Sequence, residues 1–438
     1  MRPVFLSSCK VFDIDKPRKT NKNPVLVRML LKLTGLPSRF CETQGTQEDL
    51  KMSAQPLWTK NFLFLFISNG FSSFGFQILL PTFPLLISGF GATEAQIGLV
   101  VGSFTYSAIL IRPFSAMAIK WLGKKSFLLL GIFVCFVAAA GYNFATNVTL
   151  ALLTRTIHGL GFGISTTLYA TLAADIIPAS RRGEGMGYYG LCTTISMSIA
   201  PILGVELVKS SGFTLLFMVT ALCLVISFIC IKFFFKPDTL TAVEEKNSDD
   251  SLLSKIMERQ ALFPSFLALL TGICTGGVVS FISLYGKELR IVNIGWFFLF
   301  NTLAVFISRI LGGRICDRRG YFWVLLPGAF ILLIGLIVLS QAKSSVTLIA
   351  SALLYGFGVG ALLPYLQAWM INRVKPERRG LANATFYNTY DLGIGGGSVL
   401  LGFIAEKTNY STMYLYSSLS MIIFILIYVY YELLLKKE

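Results

Sequence analysis

Four charged side chains lie inside long apolar segments of this sequence, where ionised groups are rare and usually functional. They are Arg112, Arg155, Arg309 and Asp391. A carboxyl group in a low-dielectric cavity can gain and lose a proton near neutrality, so Asp391 is a candidate proton carrier; a structural ion pair with an arginine is the alternative. His158, the only histidine, titrates in the same range one helical turn from Arg155, although a lone histidine beside glycines can also be a packing residue.

An internal repeat helps to sort these charges. Arg112 and Arg309 are 197 residues apart, and the same offset relates Gly123 to Gly320. Further pairs at this offset are Gly98 with Gly295, the row Gly159, Gly161 and Gly163 with Gly356, Gly358 and Gly360, and Arg182 with Arg379. A register shared by several segments indicates that the chain consists of two similar halves.

The repeat distinguishes paired charges from unpaired ones. Because Arg112 and Arg309 are equivalent, architecture or gating explains them as well as ligand binding does. Asp391 corresponds to Thr194, and Arg155 corresponds to Ala352. Charges present in only one half are the better candidates for function.

The composition is that of a polytopic membrane protein. The chain has 438 residues, 54% hydrophobic and only 14% charged, more apolar than a soluble core of this size requires. Its net charge of +16 lies in the short gaps between apolar segments, which indicates orientation in a lipid bilayer and argues against nucleic acid as a partner. The eight cysteines form no C-x-x-C pair, and we find no metal-ligand spacing, phosphate-binding loop, or nucleophile with its base. We therefore expect no cofactor, no metal and no enzyme activity.

The elements that must position these residues are apolar runs of about 20 residues, each long enough to cross a hydrocarbon core as a helix. Twelve such runs are predicted, at 60–88, 95–119, 126–145, 148–174, 186–208, 213–235, 261–286, 292–315, 322–342, 345–371, 380–405 and 410–434. The predicted fold is an all-α membrane protein with two pseudo-symmetric six-helix halves, 57–235 and 260–435. The polar stretch 236–259 is predicted to be the linker between them.

Basic residues are concentrated in alternate gaps, which predicts that the linker and both termini are cytoplasmic in a cell membrane. Six crossings per half keep the halves parallel, so their symmetry axis should follow the membrane normal. Residues 1–51 are polar and basic, with four prolines and no long apolar run. We interpret them as a disordered tail, or as sequence upstream of a true start at Met52.

One motif lies in the charged loop after the predicted eighth helix. The pattern G-x-x-x-D-[RK]-x-G is matched by Gly313, Asp317, Arg318 and Gly320. The equivalent loop of the first half departs from it, since alanine and lysine replace the first glycine and the aspartate. On this motif the chain resembles the major facilitator superfamily, and more narrowly its twelve-helix bacterial proton-coupled multidrug efflux branch.

The fourth and fifth helices carry further resemblances to that branch. Arg155, His158, Gly159 and Gly161 match R-x-x-[QH]-G-x-G, and Pro201 lies in a degraded antiporter motif. The resemblance implies that Arg155 holds the counter-charge of the proton site or relays the proton, with His158 in the same pathway.

The loop motif also has a physical interpretation of its own. Asp317, at a cytoplasmic helix end, can meet the positive N-terminus of a neighbouring helix or an arginine such as Arg182, and so hold an inner gate shut. The alternative is that the loop charges only set orientation. Arg112, Arg309, Arg318, Gly313 and Gly320 are assigned to the same gating machinery.

Cargo contacts are predicted from polar side chains in apolar helices, although such groups often join helices to one another instead. They are Asn69, Gln77, Asn301, Gln367, Tyr387 and Asn388. The predicted function is proton-coupled export of a small amphipathic compound by a monomeric transporter working through alternating access. The alternative is proton-coupled uptake of a sugar, an organic acid or another metabolite.

Overall fold

The computed structural model describes residues 56–178, 182–236, 258–291, 294–375 and 378–435. The regular structure within these ranges is entirely helical, which confirms the all-α prediction. In chain order the α-helices are α1 Lys60–Gln77, α2 Phe83–Gly89, α3 Glu94–Leu122, α4 Lys124–Gly141, α5 Val148–Ile176, α6 Arg182–Ile229, α7 Leu262–Glu288, α8 Gly295–Arg319, α9 Phe322–Ser340, α10 Ser345–Arg373, α11 Arg379–Lys407 and α12 Tyr410–Tyr430.

The first and fifth predicted segments differ from single straight helices. The run 60–88 is broken between α1 and α2, because Pro81 has no amide hydrogen to continue the helical ladder. Pro84 then lies in the first turn of α2, where no donor is required. Helix α6 holds the fifth and sixth predicted segments and divides between them at Gly212, whose φ is 78°. Together, these helices account for the twelve predicted segments.

Eight helical stretches of the described chain are long and apolar enough to cross a bilayer, one of them the 47-residue stretch Tyr188–Phe234. The long helices outside this set are α1, α5 and α11. These three helices contain half of the polar residues singled out from the sequence, among them Arg155 and Asp391.

The repeat is preserved in the packing. A Cβ at Gly159 would lie 2.2 Å from the carbonyl oxygen of Phe104, and a Cβ at Gly356 would lie 2.2 Å from that of Asn301. Each residue of the second contact is 197 positions after its counterpart in the first. The same relation holds for Gly161 at Cys135 and Gly358 at Leu332, and for Gly163 at Ala108 and Gly360 at Val305. Helix α5 thus packs on α3 and α4 as α10 packs on α8 and α9.

Helix ends follow the same offset. Gly123 and Gly320 end α3 and α8 with φ of 75° and 85°, a conformation that glycine adopts without strain. Lys124 Nζ lies 2.8 Å from Asp175 in the first half. In the second half, the Nδ2 group of Asn372 donates to the Tyr321 hydroxyl at 2.6 Å. Equivalent residues therefore contact each other in both halves, through an ion pair in the first half and a hydrogen bond in the second.

The two predicted halves are in contact at several helix pairs, among them α3 with α11, α6 with α8, α2 with α7 and α3 with α7. The backbones of α3 and α11 approach each other closely where they cross, since a Cβ at Gly98 would lie 2.2 Å from the carbonyl oxygen of Ser398. The predicted tail 1–51, the proposed start at Met52 and nearly all of the linker 236–259 lie outside the described residues. The half boundaries stay predictions.

Candidate functional site

An ion pair joins the two halves at the α3–α11 crossing. Arg112 Nη1 on α3 lies 2.6 Å from Asp391 Oδ2 on α11. The same nitrogen donates to Asn388 Oδ1 at 2.8 Å. The two side chains of the ion pair are only 18% and 23% exposed, so the charges are largely shielded yet reachable by water. Such a charge-assisted contact between oppositely charged groups is stronger than a neutral hydrogen bond.

Small residues bring the two helices close enough for this contact. Thr93 caps α3 with its side chain, and a reciprocal bond from Gln96 completes the capping box. A Cβ at Gly102 would lie 3.0 Å from the carbonyl oxygen of Gly395. At the far end, the amide of Ala95 donates to Glu406 Oε2 at 3.3 Å. The helices therefore touch over nearly five turns of α3, with the ion pair at one end of the contact.

The opposite interface lacks an equivalent pair. Helices α6 and α8 are also in contact, and Arg309 on α8 is the repeat equivalent of Arg112. The repeat equivalent of Asp391 on α6 is Thr194, which cannot carry a charge. The backbone carbonyl of Arg309 instead accepts the hydroxyl of Tyr365 at 2.7 Å. Among the described residues, an acid meets the repeated arginine position at the α3–α11 interface and not at the α6–α8 interface.

Arg155 occupies a different environment from the one expected. Its side chain is 1% exposed, and its guanidinium carbon lies 4.6 Å and 4.4 Å from the ring centres of Phe83 and Phe104. Nη1 approaches the Tyr142 hydroxyl at 3.5 Å, while Nε has no hydrogen-bond partner. Within the described residues no carboxylate pairs with it. The arginine beside Asp391 is Arg112, so Arg155 is not its counter-charge in this conformation.

His158 belongs to the Arg155 cluster. It is 2% exposed, and its Nδ1 lies 2.8 Å from the Tyr142 hydroxyl. Phe104 meets the imidazole ring edge to face at 5.5 Å. Tyr142 therefore bridges Arg155 and His158, a link that sequence reasoning missed. Tyr142 follows α4 as the first residue of the short 3-10 helix Tyr142–Phe144, and nothing in its local sequence indicates that it turns inward.

The predicted cargo residues divide into two groups. Gln367 and Tyr387 belong to a network between α10 and α11, in which the Tyr387 hydroxyl donates to Gln367 Oε1 at 3.1 Å. Gln367 Nε2 in turn donates to Asn383 Oδ1 at 2.9 Å, and Asn383 was not among the predicted residues. Tyr387 is 48% exposed, and Asn388, next to it, binds Arg112. Asn383, Tyr387 and Asn388 lie on α11, the helix that carries Asp391.

The second group lies apart from the ion pair. Asn69 on α1 donates to Cys192 Sγ on α6 at 2.9 Å, which is a contact between helices. Gln77 Oε1 and Asn301 Oδ1 are buried without a hydrogen-bond partner. Asn301 packs against Gly356, the position equivalent to Gly159. Unpaired buried acceptors are costly and mark positions where a bound molecule could supply a donor.

The structure describes the gating residues only in part. The backbone of Asp317 lies in the last turn of α8, and α6 begins at Arg182, but both side chains lie outside the described parts of the structure. Arg318 is exposed, and a Cβ at Gly313 would make ordinary contact with the Tyr365 hydroxyl at 3.6 Å. The contact between Asp317 and Arg182 stays a prediction.

Comparison with known proteins places this arrangement in a family. The staphylopine export protein of Staphylococcus aureus is 23% identical over 359 residues, which are 79% of this chain and 89% of that protein. A multi-drug resistance efflux pump PmrA homolog of Lactococcus lactis is 24% identical over 370 residues, 80% of this chain and 90% of that protein.

A solved nucleoside transporter, NupG, shares the fold with a TM-score of 0.67 at 16% identity. The match covers 84% of this chain and 98% of that structure. The family model described as Major Facilitator Superfamily matches residues 65–292 and 291–437, nearly the whole membrane region. This chain therefore belongs to the Major Facilitator Superfamily and is a multi-pass membrane transporter similar to efflux proteins.

Proposed function

We propose that this transporter exports a small amphipathic organic compound by alternating access and couples that export to inward proton movement. The observation that carries the proposal is the ion pair between Arg112 and Asp391. It joins the two halves across helices that must move when the transporter changes access. It also contains the one acid on the membrane-embedded part of α11.

The coupling follows from the charge on Asp391. When the carboxylate is ionised, it holds Arg112 at 2.6 Å and favours the α3–α11 contact. Protonation removes the negative charge, so the attraction is lost and the halves separate more easily at this crossing. Arg112 remains bound to Asn388, which keeps its guanidinium near the site. A proton thus acts as a ligand with different affinities for the two access states.

The amphipathic nature of the cargo is supported by the aromatic surroundings of Arg155. Phe76, Phe104 and Phe162 form a ring cluster with centroid distances of 4.3 to 5.0 Å. The guanidinium of Arg155 lies against Phe104 at one side of this cluster. Clustered aromatic rings beside a single fixed charge suit a molecule with an apolar ring system and one polar group.

The direction of transport rests on the relatives. Two proteins that align over most of this chain are named for export or drug efflux. Export requires the proton to enter as the compound leaves. The proposed setting is a cell membrane with both termini and the linker on the cytoplasmic side, and one chain as the functional unit.

Purified protein in liposomes tests this proposal. The liposomes contain a pH-sensitive dye, and ethidium is the transport probe. Protease cleavage within residues 237–257 reports the fraction of molecules with the linker facing outward. Export predicts that ethidium moves uphill from the linker side to the opposite side when that opposite side is acidic, together with proton flow toward the linker. Uphill movement toward the linker side would instead support uptake, and ethidium flux without proton movement would exclude coupling.

A further inference from the structure

A groove lies between the start of α1 and the end of α6. Its volume is about 650 Å³, and it is lined by Thr59, Lys60, Asn61, Leu63, Phe64, Phe233, Phe234 and Lys236. Lys60 is the first residue of α1. The π-helix Cys230–Phe234 continues α6, the two together form the α6 segment, and Lys236 lies two residues after its end. The groove is therefore positive at its end and apolar along its length.

The apolar part of the groove is an aromatic wall open to its surroundings. Phe64 stacks on Phe234 with ring centres 4.7 Å apart and an angle of 14°. Phe233 is 65% exposed and Phe234 is 50% exposed. On helices that cross a bilayer, such rings face acyl chains, so this wall suits a hydrocarbon chain lying along α1 and α6.

The positive end is held in place by the backbone. Asn61 Nδ2 donates to the carbonyl oxygen of Lys236 at 2.6 Å, and the amide of Lys236 donates back to Asn61 Oδ1 at 3.0 Å. Lys236 is thus fixed beside Lys60 at the mouth of the groove, and both side chains are exposed.

Neighbouring charges add to the positive potential at the mouth of the groove. Lys125 Nζ donates to the carbonyl oxygens of Lys232 at 3.1 Å and Phe235 at 2.6 Å, which offsets the negative end of the α6 segment. The first turn of α1 carries no acid. Within the described ranges, no carboxylate forms an ion pair with Lys60, Lys232 or Lys236.

We propose that this groove binds an anionic phospholipid, with its phosphate between Lys60 and Lys236 and one acyl chain against Phe64, Phe233 and Phe234. The combination of charge and apolar wall favours a lipid over a soluble anion, which would leave the rings uncovered. It also argues against the chain's own residues 1–51, because that segment is basic. The ligand is recognised by its negative headgroup and its hydrocarbon chain together.

Native mass spectrometry of the full-length protein in detergent tests the proposal. The probes are phosphatidylglycerol and phosphatidylcholine with identical acyl chains. We expect the wild type to bind phosphatidylglycerol more tightly. Each lysine near an anionic surface contributes about 1 kcal/mol, so Lys60→Gln and Lys236→Gln should each weaken that binding about fivefold, and together about 25-fold.

Matched variants separate a defined site from general surface attraction. Lys343→Gln removes the same charge from an exposed loop between α9 and α10, and it should leave binding unchanged. Phe233→Ala should weaken both lipids without changing the preference for the anionic one. Thermal unfolding without lipid should be the same for all these variants, because the side chains changed are exposed and the Asn61–Lys236 backbone contact is retained.

Three outcomes would overturn the proposal. If Lys343→Gln weakened phosphatidylglycerol binding as much as Lys60→Gln or Lys236→Gln does, the lipid would be held by the overall positive charge and not by this groove. Equal affinity for the two lipids in the wild type would indicate an apolar crevice that does not recognise the headgroup. Competition by glycerophosphoglycerol, which has the headgroup and no acyl chain, at the same concentration as the lipid would indicate a soluble-anion site.

Discussion

Replacing Asp391 by asparagine removes the charge of the α3–α11 ion pair while keeping the shape of the side chain. Two unit charges about 4 Å apart attract by about 4 kcal/mol at an effective dielectric constant of 20. The pair is 18% and 23% exposed, and asparagine can still accept a hydrogen bond from Arg112, so we expect a net loss of about 2 kcal/mol. The conformation that contains this contact should therefore become about 30-fold less favoured relative to the alternative state.

The substitution should also uncouple ethidium transport from the pH gradient. A pH difference of one unit supplies about 1.4 kcal/mol for each proton, which supports at most a tenfold ethidium gradient at a stoichiometry of one. Asp391→Asn cannot take up the proton, so the ethidium gradient in proteoliposomes should fall to one. Exchange of ethidium in the absence of a pH gradient should continue, because it requires only the change of access.

Glu406→Gln provides the matched control. It makes the same carboxylate-to-amide change on α11, where Glu406 contacts the Ala95 amide at the other end of the α3 interface. This variant should retain the ethidium gradient. The charge exchange of Arg112→Asp with Asp391→Arg should restore thermal stability but not proton-driven accumulation. Wild-type accumulation by Asp391→Asn would refute the reasoning, as would equal loss of accumulation by Glu406→Gln.

Three further predictions concern the buried residues of the first half. Arg155→Met should keep or raise the thermal stability, since an apolar side chain replaces a charge that has no acidic partner in the described structure, yet it should reduce coupled ethidium transport in the same liposomes. Gly159→Ala should destabilise the protein by about 1–3 kcal/mol, because its Cβ would lie 2.2 Å from a carbonyl oxygen, whereas Gly190→Ala, with open space around it, should not destabilise in a thermal unfolding assay. Tyr169→Phe should cost about 1–2 kcal/mol of unfolding free energy in urea, since its hydroxyl bonds Ser227 at 2.6 Å inside the core, and an unchanged midpoint would contradict this contact.

Most of the architecture could be predicted from the sequence, because it depends on local properties. Runs of about 20 apolar residues must form helices in a bilayer, where backbone groups have no water to bond. The offset of 197 residues predicted two similar halves, and the equivalent contacts of Gly159 and Gly356 agree with it. The break after α1 was also marked in the sequence by Pro81, although the length of the apolar run favoured one continuous helix.

The partner of each buried charge depends on the tertiary structure instead. The sequence shows three arginines and one aspartate in apolar segments, and nothing local indicates which arginine meets Asp391. The fold decides this, because α3 and α11 cross at small residues while α5 packs inside the first half, so Arg112 reaches the acid and Arg155 meets Tyr142. Hydropathy and repeats are properties of one segment or one offset, whereas an ion pair depends on where two distant helices cross.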